Sequence, residues 1–223
     1  IALALVTRLP FASRMLFNWD SVNFALGMRG LDVTRHAPHP PGYPYFVGLA
    51  RLFDYVLDDA NASLVAVSIL FTCLAAVAVF CLGRAIFDRS TGVIAALALL
   101  GSLSFWTYGT IALSYITLAF FSTAMAWLAY LILFRRDRRH LLLLSVVYSI
   151  AGGFRPDLLL FLSPLWLASL LGASWRARIL NGVIVLAGML AVRVALNHPF
   201  PDGNKRAAVA LMLYFLSQNG YEL

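Results

Sequence analysis

The sequence predicts an all-α bundle of membrane-spanning helices, and three observations predict it. Of 223 residues, 61% are hydrophobic and only 12% charged, with a mean hydropathy of +0.83, a composition that excludes a soluble domain for most of the chain. Several uninterrupted apolar runs approach the ~20 residues that a bilayer core requires. Nearly all the excess positive charge lies in short segments between alternate runs. The chain opens on Ile1 and enters an apolar stretch at once, which reads as a piece of a longer protein.

Taken in order, the runs that predict spans are Leu64 to Leu82, Gly92 to Phe105, Ile111 to Phe134 and Ile179 to Leu196. Between the third and fourth lies a weaker pair, Leu141 to Ala151 and Leu158 to Leu171, joined by Gly152-Gly153-Phe154-Arg155-Pro156-Asp157. Each member is too short to cross comfortably, so the pair is read as short spans or as a hairpin dipping part way in. Irregular backbone at membrane depth is tolerated only under protein cover or beside a wet cavity, which singles out this link. Cys73 and Cys81 lie in one run; on a helix they stand ~12 Å apart along the axis, too far to bridge, and read as small packers.

The formal charge is +7. Three short loops, 84–89, 135–139 and 175–178, sum to +6, whereas the segment from Arg8 to Asp59 holds five Arg and five Asp and sums to zero. A basic balance thus divided is the positive-inside pattern. Arginines scattered over three loops make no continuous stripe, so the pI of 9.8 reports topology and no nucleic-acid partner is expected. The same rule places the Arg8 to Asn61 segment, the Ser102 to Thr110 link and the Gly152 to Asp157 link outside. Trp106, Tyr108 and Tyr115 at the outer ends of two spans read as an interfacial belt.

The outer segment carries Phe17-Asn18-Trp19-Asp20-Ser21 and, later, His36-Ala37-Pro38-His39-Pro40-Pro41-Gly42-Tyr43-Pro44. Four Pro and one Gly in residues 38–44 predict a rigid turn at the re-entry to the membrane. Read alone, Asp20 is a helix N-cap for the run that starts at Val22, His36 and His39 are a solvated turn or aids to an acceptor or a divalent metal, and Arg155 either closes a local turn with Asp157 or binds a phosphate.

These elements taken together are WDS in the outer segment, HPPGYP before the next helix, Phe105-Trp106 with Tyr108-Gly109 between two spans, and GGFRPD followed by Leu165-Trp166. In this order they resemble the bacterial polytopic glycosyltransferases of the GT-C class, in the branch related to protein mannosyltransferases, over residues ~8–190. The resemblance implies a truncated GT-C-like helix bundle in a bacterial cytoplasmic membrane that takes a sugar from a polyprenyl-phosphate donor on the extracytoplasmic face. It maps the catalytic acid of the first outer loop onto Asp20. A carboxylate there can serve as the base that takes the acceptor's proton, or hold a metal that steadies the leaving phosphate.

From Asn197 the text changes. His198-Pro199-Phe200-Pro201-Asp202-Gly203-Asn204-Lys205-Arg206 resembles the signature of the Fic/Doc family, with the Lys of its Doc-like form. Gly203-Asn204 opening a helix presents free N–H groups and a positive dipole end to a nucleotide's phosphates, and Lys205 and Arg206 add charge. The resemblance implies His198 as base, Asp202 on Mg²⁺, Asn204 and Arg206 on the phosphates of ATP, and AMP or phosphate passed to a hydroxyl of a protein target. The helical core of such a domain is not found upstream, and counting spans brings His198 to the outer face, where ATP is scarce. The expected organisation is therefore an incomplete glycosyltransferase-like region at 1–196 and an incomplete Fic/Doc loop and helix at 197–223, a chimera joined near residues 186–197. A membrane scaffold or a non-functional chimera is the remaining alternative.

Overall fold

The computed structural model describes residues 1–197 together with 213, 214 and 217. In chain order the helices are α1 (Ala2–Arg8), a 3₁₀ turn (Leu9–Phe11), α2 (Trp19–Arg29), a second 3₁₀ turn (Val33–Arg35), α3 (Pro44–Leu57), α4 (Ala60–Ile86), α5 (Arg89–Gly101), α6 (Leu103–Tyr108), α7 (Tyr115–Leu133), α8 (His140–Phe154), α9 (Asp157–Leu170) and α10 (Trp175–Asn197). The all-helical class read from composition is the class observed. Among the described residues three helices are long and apolar enough to cross a bilayer: Ala60–Ile86, Tyr115–Leu133 and Trp175–Val194.

Two of the expected spans are cut differently. The run from Gly92 to Phe105 breaks at Ser102, where α5 ends after 13 residues and α6 begins; at 1.5 Å per residue α5 reaches about 20 Å, short of a bilayer core. The run expected from Ile111 becomes helical only at Tyr115. Residues 111–114 are a buried irregular turn whose carbonyls are satisfied by hydroxyls: Ser68 Oγ donates to Ile111 O at 2.8 Å and Ser21 Oγ to Ala112 O at 2.9 Å. Hydropathy reads that segment as span because it is apolar; the serines that pay its hydrogen-bond debt lie 43 and 91 residues away and are invisible to a local window.

Helix α4 is the axis of the bundle, packing against α3, α5 and α7, while α8 packs against α7, α9 and α10. Phe71 at its centre meets Phe120, Phe121 and Phe154 with ring centroids 5.5, 5.7 and 4.9 Å away. Asp59 and Asp88 cap α4 and α5 by accepting from Ala62 N and Thr91 N at 2.6 and 2.7 Å, satisfying N–H groups that the first turn leaves unpaired. The α4–α5 crossing is set by glycines. A Cβ on Gly92 would fall 2.6 Å from Phe80 O and 3.0 Å from Arg84 N, and one on Gly83 2.9 Å from Gly92 Cα. Backbone cannot step aside as a side-chain tip can, so Gly92→Val is expected to destabilise the bundle by about 3 kcal/mol. A drop in melting temperature in detergent, against little change for Gly101→Ala, where nothing lies within 4 Å, checks it.

The basic loops meet at one end. Arg135 Nη2 donates to Ala85 O at 3.0 Å, Arg138 Nη1 to Gly172 O, and Arg178 Nε to Ala173 O at 3.0 Å. The accepting carbonyls lie at or just beyond the C-terminal ends of α4 and α9, where free carbonyls and negative dipole ends favour cations. The opposite end gathers α2, the start of α3, the start of α7 and the α8–α9 link.

Candidate functional site

Asp20 lies in the first turn of α2 but does not cap it. Asn18 does, its side chain accepting from Ser21 N at 3.1 Å, so the helix starts at Trp19, three residues before the expected Val22. The correction matters chemically: with Asn18 on the end of the helix, the Asp20 carboxylate is free to face the 36–43 turn. There its Oδ1 lies 3.8 Å from His39 Nδ1, with the two side chains 36% and 22% exposed. The α2 N-terminus places a positive dipole end beside this carboxylate.

His39 is held by aromatic rings. Its centroid is 5.5 Å from Phe24 and 5.1 Å from Tyr43, and Tyr43 stands edge-on to Phe24 at 5.2 Å. His39 Nδ1 is enclosed and has no hydrogen-bond partner among the described residues, which leaves Asp20 as the group it addresses. Tyr43 is the left-handed residue (φ 47°) before α3, with Pro44 opening the helix, so the proline-rich turn fixes where the phenol points.

The second half of the site comes from the α8–α9 link. Arg155 pairs with Asp157 in a two-pronged contact, Nε to Oδ1 at 3.1 Å and Nη2 to Oδ2 at 2.9 Å, and its guanidinium carbon lies 4.8 Å from the Tyr115 ring centre and 6.0 Å from that of Tyr43. The local Arg155–Asp157 turn is therefore present, and one face of the cation still meets two aromatic rings. Burial pushes the Tyr43 phenol above its ordinary pKa; Arg155 opposes the rise, while Asp157, Asp20 and Tyr115 add to it. Tyr43 stays a neutral donor at physiological pH and senses both halves of the cluster.

Gly153 explains the glycine pair. A Cβ there would fall 2.1 Å from Tyr45 Cδ2, and one on Gly152 2.8 Å from Leu159 Cγ. The pair lets α8 approach α3 and α9 so that Arg155 arrives beside Tyr43. Gly153→Ala is expected to lower stability by about 2 kcal/mol and to displace Arg155, read as a loss of whatever activity Arg155 supports at a temperature where the variant is still folded.

A cavity of about 660 Å³ adjoins the cluster, lined by Pro41, Gly152, Pro156, Leu159, Leu190 and Arg193 among others. Pro41 is two residues from His39 and Pro156 follows Arg155, so chain neighbours of both polar halves, and not the polar side chains themselves, border this mostly apolar space. His36 stands apart, exposed and left-handed (φ 55°) at the end of the Val33–Arg35 turn. Among the described residues no group of three or more His, Cys, Asp or Glu converges. Asp20 with His39 supplies two donors, too few to hold a divalent metal alone. His198, Asp202, Gly203, Asn204, Lys205 and Arg206 lie outside the described residues.

The sequence profile of the dolichyl-phosphate-mannose-protein mannosyltransferases matches residues 38–200. The chain belongs to this family. The match takes in His39, Tyr43, Tyr115, Arg155 and Asp157 and all three long helices, begins after Asp20 and His36, and runs through residues 186–197 to end at Phe200. No curated protein and no solved structure matches the chain. Membership makes it part of a multi-pass membrane glycosyltransferase of the polyprenyl-phosphate-sugar type. Nothing local in the sequence marks Tyr43 as part of a site, and Tyr115 reads as interfacial belt although it faces a cation 40 residues on.

Proposed function

We propose that this end of the bundle transfers a sugar from a polyprenyl-phosphate donor to an acceptor hydroxyl on the extracytoplasmic side of a bacterial cytoplasmic membrane. The observation that carries the proposal is the Asp20 carboxylate, released from capping and 3.8 Å from His39, in a cluster where Arg155 lies over Tyr43 and Tyr115 beside an apolar cavity. Such a site suits an amphiphile: isoprenoid in the cavity, phosphate toward the guanidinium. In the step, the acceptor oxygen attacks the anomeric carbon as its proton passes to Asp20. The bond from that carbon to the phosphate oxygen breaks, and the electron pair leaves with polyprenyl phosphate, whose charge Arg155 steadies. His39 orients the carboxylate, and the three basic loops at the far end set the orientation in the membrane. Reconstituted protein releasing polyprenyl phosphate from a lipid-linked sugar, with that release abolished in Asp20→Asn, tests the reading; retention of full activity in that variant removes it.

A second reading rests on the contiguous string from Asn197 to Arg206, with Mg²⁺ and ATP as its cofactor and substrate and a protein as its target. Labelled ATP is expected to mark protein only if His198 is intact. Incorporation unchanged in His198→Ala, or none in the parent chain, removes that reading without touching the first.

A further inference from the structure

At the basic end of the bundle two arginines are fixed on one turn. Arg138 Nη1 donates to Gly172 O, and Arg178 Nε to Ala173 O at 3.0 Å, so guanidiniums from two loops rest on consecutive carbonyls between α9 and α10. Gly172 makes the room: it is left-handed (φ 75°), and a Cβ on it would fall 2.9 Å from Arg138 Nη2. Each guanidinium is a planar fork of N–H groups, and both residues are exposed, so the rest of each fork is open to a ligand. No carboxylate answers them. The two acids of the basic loops are engaged elsewhere: Asp88 accepts from Thr91 N at 2.7 Å, and Asp137 accepts from Arg139 N at 3.2 Å with His140 beside it at 3.4 Å. Among the described residues the arginine ion pairs, Arg35 with Asp32 and Arg155 with Asp157, lie in the outer segment and the α8–α9 link. Membrane topology asks for cations on this side; it does not ask that two of them converge on one turn. Apolar surface runs on from the same place. Trp175 is 74% exposed, and from it the open face of α10 continues at i+4, i+7 and i+11 through Ile179, Gly182 and Leu186. Ile179 and Leu186 are exposed, nothing lies within 4 Å of a Cβ on Gly182, and the stripe meets the cavity of the other end at Leu186.

We infer that the α9–α10 turn binds one anionic phospholipid of the leaflet that the basic end faces. Arg138 and Arg178 hold the phosphodiester between them, the Trp175 ring packs at the depth of the glycerol, and an acyl chain follows Ile179 and Gly182 toward the middle of the bilayer. Charge complementarity decides the occupant. A zwitterionic headgroup brings its own cation beside the phosphate and meets two arginines without an acid, whereas an anionic one supplies the missing charge. Free phosphate would satisfy the arginines and leave the apolar stripe bare. The turn lies at the opposite end of the bundle from Asp20, so the inference does not depend on sugar transfer and survives if that reading fails.

The chain in nonionic detergent, titrated with phosphatidylglycerol, phosphatidylcholine or inorganic phosphate while its melting temperature is followed, tests it. Phosphatidylglycerol is expected to raise the melting temperature by several degrees, and the other two to leave it in place. In Arg138→Gln/Arg178→Gln the phosphatidylglycerol concentration giving half the rise is expected to increase about thirtyfold, the effect of two arginines at a membrane surface. Arg84→Gln/Arg89→Gln removes the same charge from the same end and is expected to keep the parent response. No rise with phosphatidylglycerol, an equal rise with either of the other two, or equal losses in the two double variants overturns the inference. A second measurement needs no variant. Phosphatidylglycerol with a photoactivatable acyl chain is expected to label residues 175–186, with unlabelled phosphatidylglycerol competing and phosphatidylcholine not; label confined to other segments, or removed equally by both lipids, overturns the inference.

Discussion

Asp20→Asn is expected to cost about 10²–10⁴-fold in the turnover of a lipid-linked sugar while leaving the fold almost unchanged. The asymmetry follows from the cap. Asn18 accepts the Ser21 N–H at 3.1 Å and Ser21 Oγ ties α2 to Ala112 O at 2.9 Å, so the local structure does not lean on the Asp20 carboxylate. What the variant loses structurally is a negative charge in the first turn, worth about 0.3–1 kcal/mol. Even at the cap position Asn would accept the same N–H as Asp, so the exchange leaves the start of α2 intact and a rate loss reports on the charge. Asn18→Ala supplies the contrast: it is expected to destabilise α2 by about 1 kcal/mol with a smaller effect on the rate. Comparable losses of rate in the two variants, or a rate within tenfold of the parent for Asp20→Asn, would remove Asp20 from the chemistry. His39→Phe, which keeps the ring against Phe24 and Tyr43 but removes the nitrogen facing Asp20, is expected to fall between them and to change turnover more than apparent donor affinity.

Much of this was legible before any coordinate. The helical class and the membrane follow from an excess of apolar residues that no soluble core could bury, and the division of charge follows from arginines whose places in the chain alone separate the two ends. Asp20, His39 and Arg155 are legible as chemistry because short ordered motifs carry them; that the first two meet is not, since 18 residues of helix and turn separate them. Hydropathy failed where apolar sequence is not helix. Residues 111–114 are as apolar as a span, yet Ser21 and Ser68 hold them in an irregular turn. Tyr115 reads as an interfacial anchor because periodicity gives a residue's helical face and not its cross-bundle neighbour, here Arg155 at 4.8 Å.

Arg155 carries the second large expectation. Arg155→Ala should reduce sugar transfer by about 10²–10³-fold, the usual cost of removing a fixed positive group from developing anionic charge, with a stability loss on the order of 1 kcal/mol. The stability term is small because its partner Asp157 is 37% exposed and water screens the carboxylate left behind. The alternative is that Arg155 only closes the α8–α9 turn through Asp157, and the pair of single variants separates the two. If the turn is the whole role, Asp157→Asn breaks the same two-pronged contact and should match Arg155→Ala in rate. If Arg155 steadies phosphate, Asp157→Asn frees a guanidinium still held over the Tyr115 and Tyr43 rings at 4.8 and 6.0 Å, and its rate should stay within about tenfold of the parent, the scale of 1.4 kcal/mol. Arg155→Lys sharpens the contrast, since the ammonium keeps the charge but not the planar fork that fits two phosphate oxygens and stacks on a ring. It is expected to recover part of the lost rate, with apparent donor affinity still weakened. A lysine variant equal to the alanine variant would show that the planar stack on the tyrosines, and not charge at the phosphate, is what Arg155 contributes.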